Sequence, residues 1–202
     1  MSDGFDDALN VPVSTDGMNE DDAKPSAGNL VQKEGRYHVV CNEVSKPETK
    51  GTPYIQLNLE IYGGTEEDQV GKYIFHKVYL AKRQGEGDNV TFGPLSEGGI
   101  RNMCRVANAF GLIEPSQMGG DIVIPWGSAP TRQAIVKVAA DKYIDKNSGA
   151  EKTSYGIPFG DAWRLDDEEV ASVPRDGEAV SLAPPPLTPG EAPDAGVDVD
   201  DL

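Results

Sequence analysis

Residues 72–80 read KYIFHKVYL, and the alternation in this stretch constrains the chain more than any other feature. In an extended strand, successive side chains point to opposite faces. One face then carries Ile74, His76, Val78 and Leu80, an ordinary core set. The other carries Tyr73, Phe75, Lys77 and Tyr79, three rings around one ammonium group. A strand facing water normally shows Thr, Ser, Glu and Lys there. Such a face is either covered by a second layer, since aromatic residues are favoured in strands for packing reasons, or kept open for a ligand. Single-stranded nucleic acid fits the second option, because bases stack on rings and phosphates seek positive charge. The strand by itself leaves both options open.

The surrounding sequence extends the strand into a small β domain. Residues 36–44 form a first strand rich in Tyr and Val, and 45–52 (SKPETKGT) a turn. Residues 53–62 alternate cleanly, with Ile55, Leu57, Leu59 and Ile61 on a core face and Tyr54, Gln56, Asn58, Glu60 and Tyr62 opposite. With the short acidic turn 63–70, these strands make an antiparallel meander. A Gly-rich mobile loop is expected over 81–93, with Lys82 and Arg83 at its start. Ile100, Met103, Cys104, Ala107 and Phe110 recur at helical spacing between a Ser96 N-cap and a Gly111 stop. Residues 121–126 read as a short extended piece and 133–144 as a fourth strand. Residues 145–153 read as a hairpin tip, and 154–165 as a fifth strand broken by Pro158 and Gly160 and therefore at an edge. The predicted class is mainly β. The order of three strands, helix and two strands is that of a five-stranded OB-fold barrel with one helix between strands 3 and 4. That fold binds oligonucleotides on the face of its central strands and along two loops.

Charge sets the domain boundaries. The 202-residue chain has a formal net charge of −16, which taken whole argues against a polyanionic ligand. Residues 1–29 hold seven Asp/Glu and one Lys, and residues 166–202 hold eleven Asp/Glu and one Arg. The stretch 30–165 holds sixteen acids and sixteen bases. The expectation is a disordered acidic arm over 1–29, the nucleic-acid-binding domain over 30–165, and a disordered Pro-rich acidic tail over 166–202. Two cysteines, Cys41 and Cys104, suggest a reducing compartment, hence a cytoplasmic protein. No apolar run reads as a signal peptide or a membrane span.

In its element order, its ring–cation face and its acidic C-terminus, the core resembles phage-encoded single-stranded-DNA-binding proteins of the OB-fold class. The tail tip, Asp198 to Leu202, is similar in style to the acidic tails of bacterial and phage single-stranded-DNA-binding proteins. The resemblance implies coating of single-stranded DNA during phage replication, recombination and repair, in the host cell cytoplasm. It also implies a tail that competes with DNA and docks partners such as a polymerase, a helicase or primase, or a nuclease through Asp198, Asp200, Asp201 and Leu202. Bacterial tails end in Pro-Phe, whereas Leu202 ends this one, which points to a phage-encoded partner.

The residues themselves supply the binding chemistry. Tyr54, Tyr73, Phe75 and Tyr79 offer stacking surfaces, with Trp126 after a Pro as a further candidate ring. Arg36, Lys50, Lys77, Lys82, Arg83, Lys137 and Lys142 would track phosphates. Trp126 and Trp163 also suit a core, and the acidic tail also suits simple solubilisation. The chain shows no C-x-x-C, no P-loop, no nucleophile elbow and no H-E-x-x-H. No enzyme, metal or cofactor is therefore expected. The alternatives are an acidic protein-interaction module, acting as a DNA mimic or adaptor, and a small virion structural protein.

Overall fold

The computed structural model describes residues 29–47, 51–85, 89–146 and 148–187. The arm 1–28, the tail 188–202 and Lys50 lie outside the described residues. The alternating segments become β1 (Gly35–Ser45), β2 (Tyr54–Gly64) and β3 (Tyr73–Tyr79). The expected helix is α1 (Glu97–Ala109), and the later strands are β6 (Gln133–Ile144) and β7 (Glu151–Gly156). They join a mainly β, six-stranded sheet in the order β3-β2-β1-β6-β7, with the short β8 (Ala162–Trp163) beside β6. Every strand pair in the sheet is antiparallel.

The β1–β2 ladder shifts register twice, between His38 and Val39 and between Cys41 and Glu43, and such bulges bend a strand and increase its twist. The end strands β3 and β7 share no ladder. A cleft of about 720 Å³ separates them, lined by Tyr73, Phe75, Tyr143 and Tyr155. Leu30 enters this cleft and bridges to Tyr73 in parallel, the Val31 N–H donating to the Tyr73 carbonyl at 3.1 Å.

The core face gathers Tyr37, Val39 and Cys41 of β1, Leu57, Leu59 and Ile61 of β2, Ile74 and Val78 of β3, and Ala134, Val136 and Val138 of β6. Helix α1 closes over it with Cys104, Ala107 and Phe110. Ser96 caps the helix by accepting the Gly99 N–H at 3.3 Å, and Gly111 ends it at φ +63°. Gly64 lets β2 pass close to β1: a Cβ there would lie 2.5 Å from the Tyr37 ring and 2.6 Å from the Arg36 carbonyl. Both cysteines are free and buried, and burial pushes the Cys41 thiol up to about 12, which makes it inert.

Four expectations need correction. The loop 81–93 contains a small hairpin, β4 (Lys82–Gln84) paired with β5 (Thr91–Gly93), because Arg83 and Phe92 fall opposite each other across it. Residues 121–125 pair with no strand, and Trp126 opens a 3₁₀ turn instead. The strand expected from 154 begins at Glu151, since Asp145 holds a tighter tip by accepting from the Ser148 N–H at 2.8 Å. The largest correction concerns the tail, because residues 166–187 pack on the sheet.

This C-terminal strap crosses the outer face of β6, β1 and the end of β2. Val170 and Val173 are buried against Ile135, Trp163 and Leu165. Below them His38 and Gln133 face outward from the sheet, both buried, with His38 Nε2 2.9 Å from Gln133 Oε1. His38 Nδ1 accepts the Asp176 N–H at 3.3 Å, which puts the imidazole proton on Nε2. Gln133 Nε2 donates to the Ala179 carbonyl at 2.6 Å in the short helix α2 (Gly177–Ser181). Further along, Arg132 donates to the carbonyls of Gly111 at 3.1 Å and Pro185 at 2.9 Å, and the Leu187 N–H reaches Gly111 at 2.9 Å. Apolar residues at this spacing, anchored by polar groups of the sheet, override the Pro-rich composition that suggested disorder. Residues 166–187 bring six acids and one base onto the fold, so residues 29–187 carry 22 acidic and 17 basic side chains.

A truncation after Leu165 should therefore lower unfolding stability by about 5 kcal/mol, from two buried valines and the lost backbone hydrogen bonds. Chemical denaturation against a truncation after Leu187 measures this, and equal midpoints would contradict it. His76 supplies a second test. It points into the core from β3, its Nε2 has no hydrogen-bond partner among the described residues, and burial holds its pKa at about 4. The unfolded chain binds that proton more tightly than the folded one. Stability should be full above about pH 6.5 and fall by about 3 kcal/mol as pH drops to 4. Burial lowers the His38 pKa too and adds a loss of the same sign. His76→Leu should flatten its own share of the curve, and parallel curves for variant and parent would contradict this account.

Candidate nucleic-acid interface

The strap covers the outer sheet face at β6, β1 and the Gly63 end of β2 and leaves the rest of β2 and β3 open. Cross-strand register puts Tyr54 beside Tyr79, Gln56 beside Lys77, Asn58 beside Phe75 and Glu60 beside Tyr73. The Tyr54 and Tyr79 rings meet edge-on at 6.0 Å, and Lys77 Nζ stands 4.7 Å from the centre of the Tyr54 ring. Phe75 is 38% exposed and Tyr79 51%, while Tyr54 and Tyr73 are half-buried. Lys77 is exposed and makes no ion pair among the described residues, so its charge is free for a ligand. The face carries a gradient. Lys77 lies toward the Tyr79 end, whereas Glu60 sits at the Tyr73 end and accepts from Asn42 Nδ2 at 2.6 Å.

The structure assembles part of the residue set expected from sequence. Tyr54, Tyr73, Phe75, Lys77 and Tyr79 share one surface. Lys82 and Arg83 continue from it on β4, both exposed and without an ion pair among the described residues. Arg36 and Lys137 pair across β1 and β6, on the strap side of the sheet. Arg36 lies 5.2 Å from the centre of the Trp163 ring and donates to the Glu169 carbonyl at 3.0 Å, and Lys137 meets Asp161 at 3.5 Å. Both cations are thus engaged away from the rings. Lys142 stands on the β6–β7 hairpin, held by Glu151 at 3.0 Å. Trp126 is half-buried against the main core. Asp198, Asp200, Asp201 and Leu202 lie with the tail outside the described residues.

Sequence reasoning missed three rings. Tyr143, 45% exposed on β6, faces Tyr73 and Phe75 across the cleft between the end strands. Phe92 is exposed on β5 of the hairpin, and Phe159 is exposed in the cleft beside it. Tyr143 was legible, since it alternates with Asp141 on a strand already assigned. Phe92 lies on a three-residue strand too short to show a repeat, and Phe159 in an irregular segment where no periodicity gives direction. Among the described residues, no three His, Cys, Asp or Glu side chains gather to hold a metal, and no helix is long and apolar enough to cross a membrane.

Rings held open for a ligand should contribute little to folding. Phe75→Ala and Tyr79→Ala should each cost under about 1 kcal/mol, while Ile74→Ala on the opposite face should cost about 2–5 kcal/mol. Equal losses in urea unfolding would mean that the ring face is packed in solution. The comparisons with known proteins add no further constraint: no protein-family model matches the chain, and no curated protein shows significant similarity to it.

Proposed function

We propose that the protein binds and coats single-stranded DNA with little sequence preference, as an OB-type barrel whose end strands face each other across the cleft between β3 and β7. The observation that carries this reading is the uncovered ring–cation face of β2 and β3, where Tyr54, Phe75, Lys77 and Tyr79 stand clear of the strap. The strand order and the helix between the third and the next long strand support the fold assignment. Each ring offers stacking worth about 1–3 kcal/mol per base, available to every base alike. The protein performs no reaction in this role. The acidic residues beyond Leu187 serve as a competitor for the face and as a lure for replication or recombination proteins, as in the phage single-stranded-DNA-binding proteins that the chain resembles.

A second reading has one observation in its favour. Asp166, Asp167, Glu168 and Glu169 are exposed in a row on the folded strap, a set of carboxylates suited to an acidic module that occupies a basic partner. The two readings separate in one experiment. Oligo-dT should quench Tyr and Trp fluorescence, with log affinity falling against log salt at a slope of about −2, from three free cations at about 0.7 each. Phe75→Ala and Tyr79→Ala should each weaken binding by about tenfold or more. Absence of quenching at low salt would overturn the coating function and favour the acidic module.

A further inference from the structure

We infer that the bound strand does not end at Tyr79 but continues into a second subsite, the cleft between the β4–β5 hairpin and the start of α1. This rests on the single-strand reading of the β2–β3 face. The cleft has a volume of about 340 Å³, and Tyr79, Lys82, Arg83, Asn102 and Phe159 are among its lining residues. Tyr79 belongs to both surfaces, so one passes into the other without a gap.

The chemistry repeats that of the main face. Phe159 is 57% exposed and Phe92, opposite Arg83 in the hairpin, is 43% exposed. A large ring so exposed is normally free to fold back onto the body, but Phe159 is fixed in place. The Gly160 N–H donates to Asn102 Oδ1 at 2.8 Å, which ties the loop to α1, and the ring tip stands over Gly98, where a Cβ would meet it at 3.8 Å. Gly160 also holds φ +79°, a left-handed conformation that a side chain there would strain. The cations are available as well. Lys82 and Arg83 make no ion pair among the described residues, and the nearest acid of α1, Glu97, is taken up by Arg101. Rings held outward beside free cations suit stacked bases and phosphates, whereas a protein partner of apolar chemistry would leave both cations desolvated and unpaired.

The subsite adds affinity for a strand long enough to reach it. The test uses the full chain and labelled oligo-dT of about five and about fifteen nucleotides, followed by anisotropy across a salt series. Phe159→Ala should bind the short oligonucleotide within about twofold of the parent, and both it and the double variant K82Q/R83Q should bind the long one about tenfold more weakly. The double variant should also show a salt slope shallower by about 1.4 on the long oligonucleotide, for two lost phosphate contacts. Phe75→Ala should weaken both lengths. Long-strand affinity unchanged in both subsite variants, or an equal loss at both lengths, would overturn the second subsite and leave the main face standing. If the parent binds neither oligonucleotide, the single-strand reading fails and this subsite with it.

Discussion

A neutral imidazole under a polypeptide strap decides which part of this sheet can meet a ligand. His38 and Gln133 project from the outer face of β1 and β6, where the core offers them no partner. Each is satisfied by the backbone of residues 176–179, the Asp176 N–H and the Ala179 carbonyl. Without the strap, two buried polar side chains would lose those bonds, and each unsatisfied group costs about 1–3 kcal/mol if it stays buried. Val170 and Val173 add apolar burial over Ile135, and Arg36 is drawn to Trp163 and Glu169. The outer face is thereby divided. At β1 and β6 it is an interior between sheet and strap, and at β2 and β3 it is surface.

This division explains why aromatic side chains of one sheet serve different ends. Trp163 is partly buried and packs under the strap. Phe75 and Tyr79 remain exposed because nothing in the described chain crosses β3 on that side. The same holds for charge. Arg36 and Lys137 are matched by Glu169 and Asp161, while Lys77, Lys82 and Arg83 make no ion pair among the described residues. The folded body is acidic by count, yet its free cations stand beside its free rings. A polyanion would thus meet local attraction on a protein whose overall field repels it, which makes its binding sensitive to salt.

How much of this the sequence shows depends on whether a residue sits in a periodic element. The two-residue repeat in β2 and β3 assigns Tyr54, Tyr73, Phe75, Lys77 and Tyr79 to one face, because the pleat leaves no other choice. Helix α1 follows from its apolar spacing and its Ser96 cap. The strap is illegible for a physical reason. Its stability comes from partners 46 to 138 residues away in sequence, as in the contacts of Ala179 with Gln133 and of Asp176 with His38, while its local composition of Pro and acids resembles a solvated tail. Burial of His38 looks unremarkable in sequence, and only the register of β1 shows that it points away from the core. Phe159 escapes for a related reason, since a ring in an irregular loop takes its direction from contacts such as Asn102 with Gly160, and Phe92 because its three-residue strand is too short to show a repeat.

Photocrosslinking tests the account most directly. Irradiation of the full-length protein with an oligo-dT strand, followed by peptide mass spectrometry, reads which surface the strand touches. The account predicts crosslinks within residues 72–83 and none within residues 163–187, since rings that stack on bases are the ones positioned to couple to them. Crosslinks concentrated on the strap, or spread evenly over the chain, would contradict a binding face bounded by that strap.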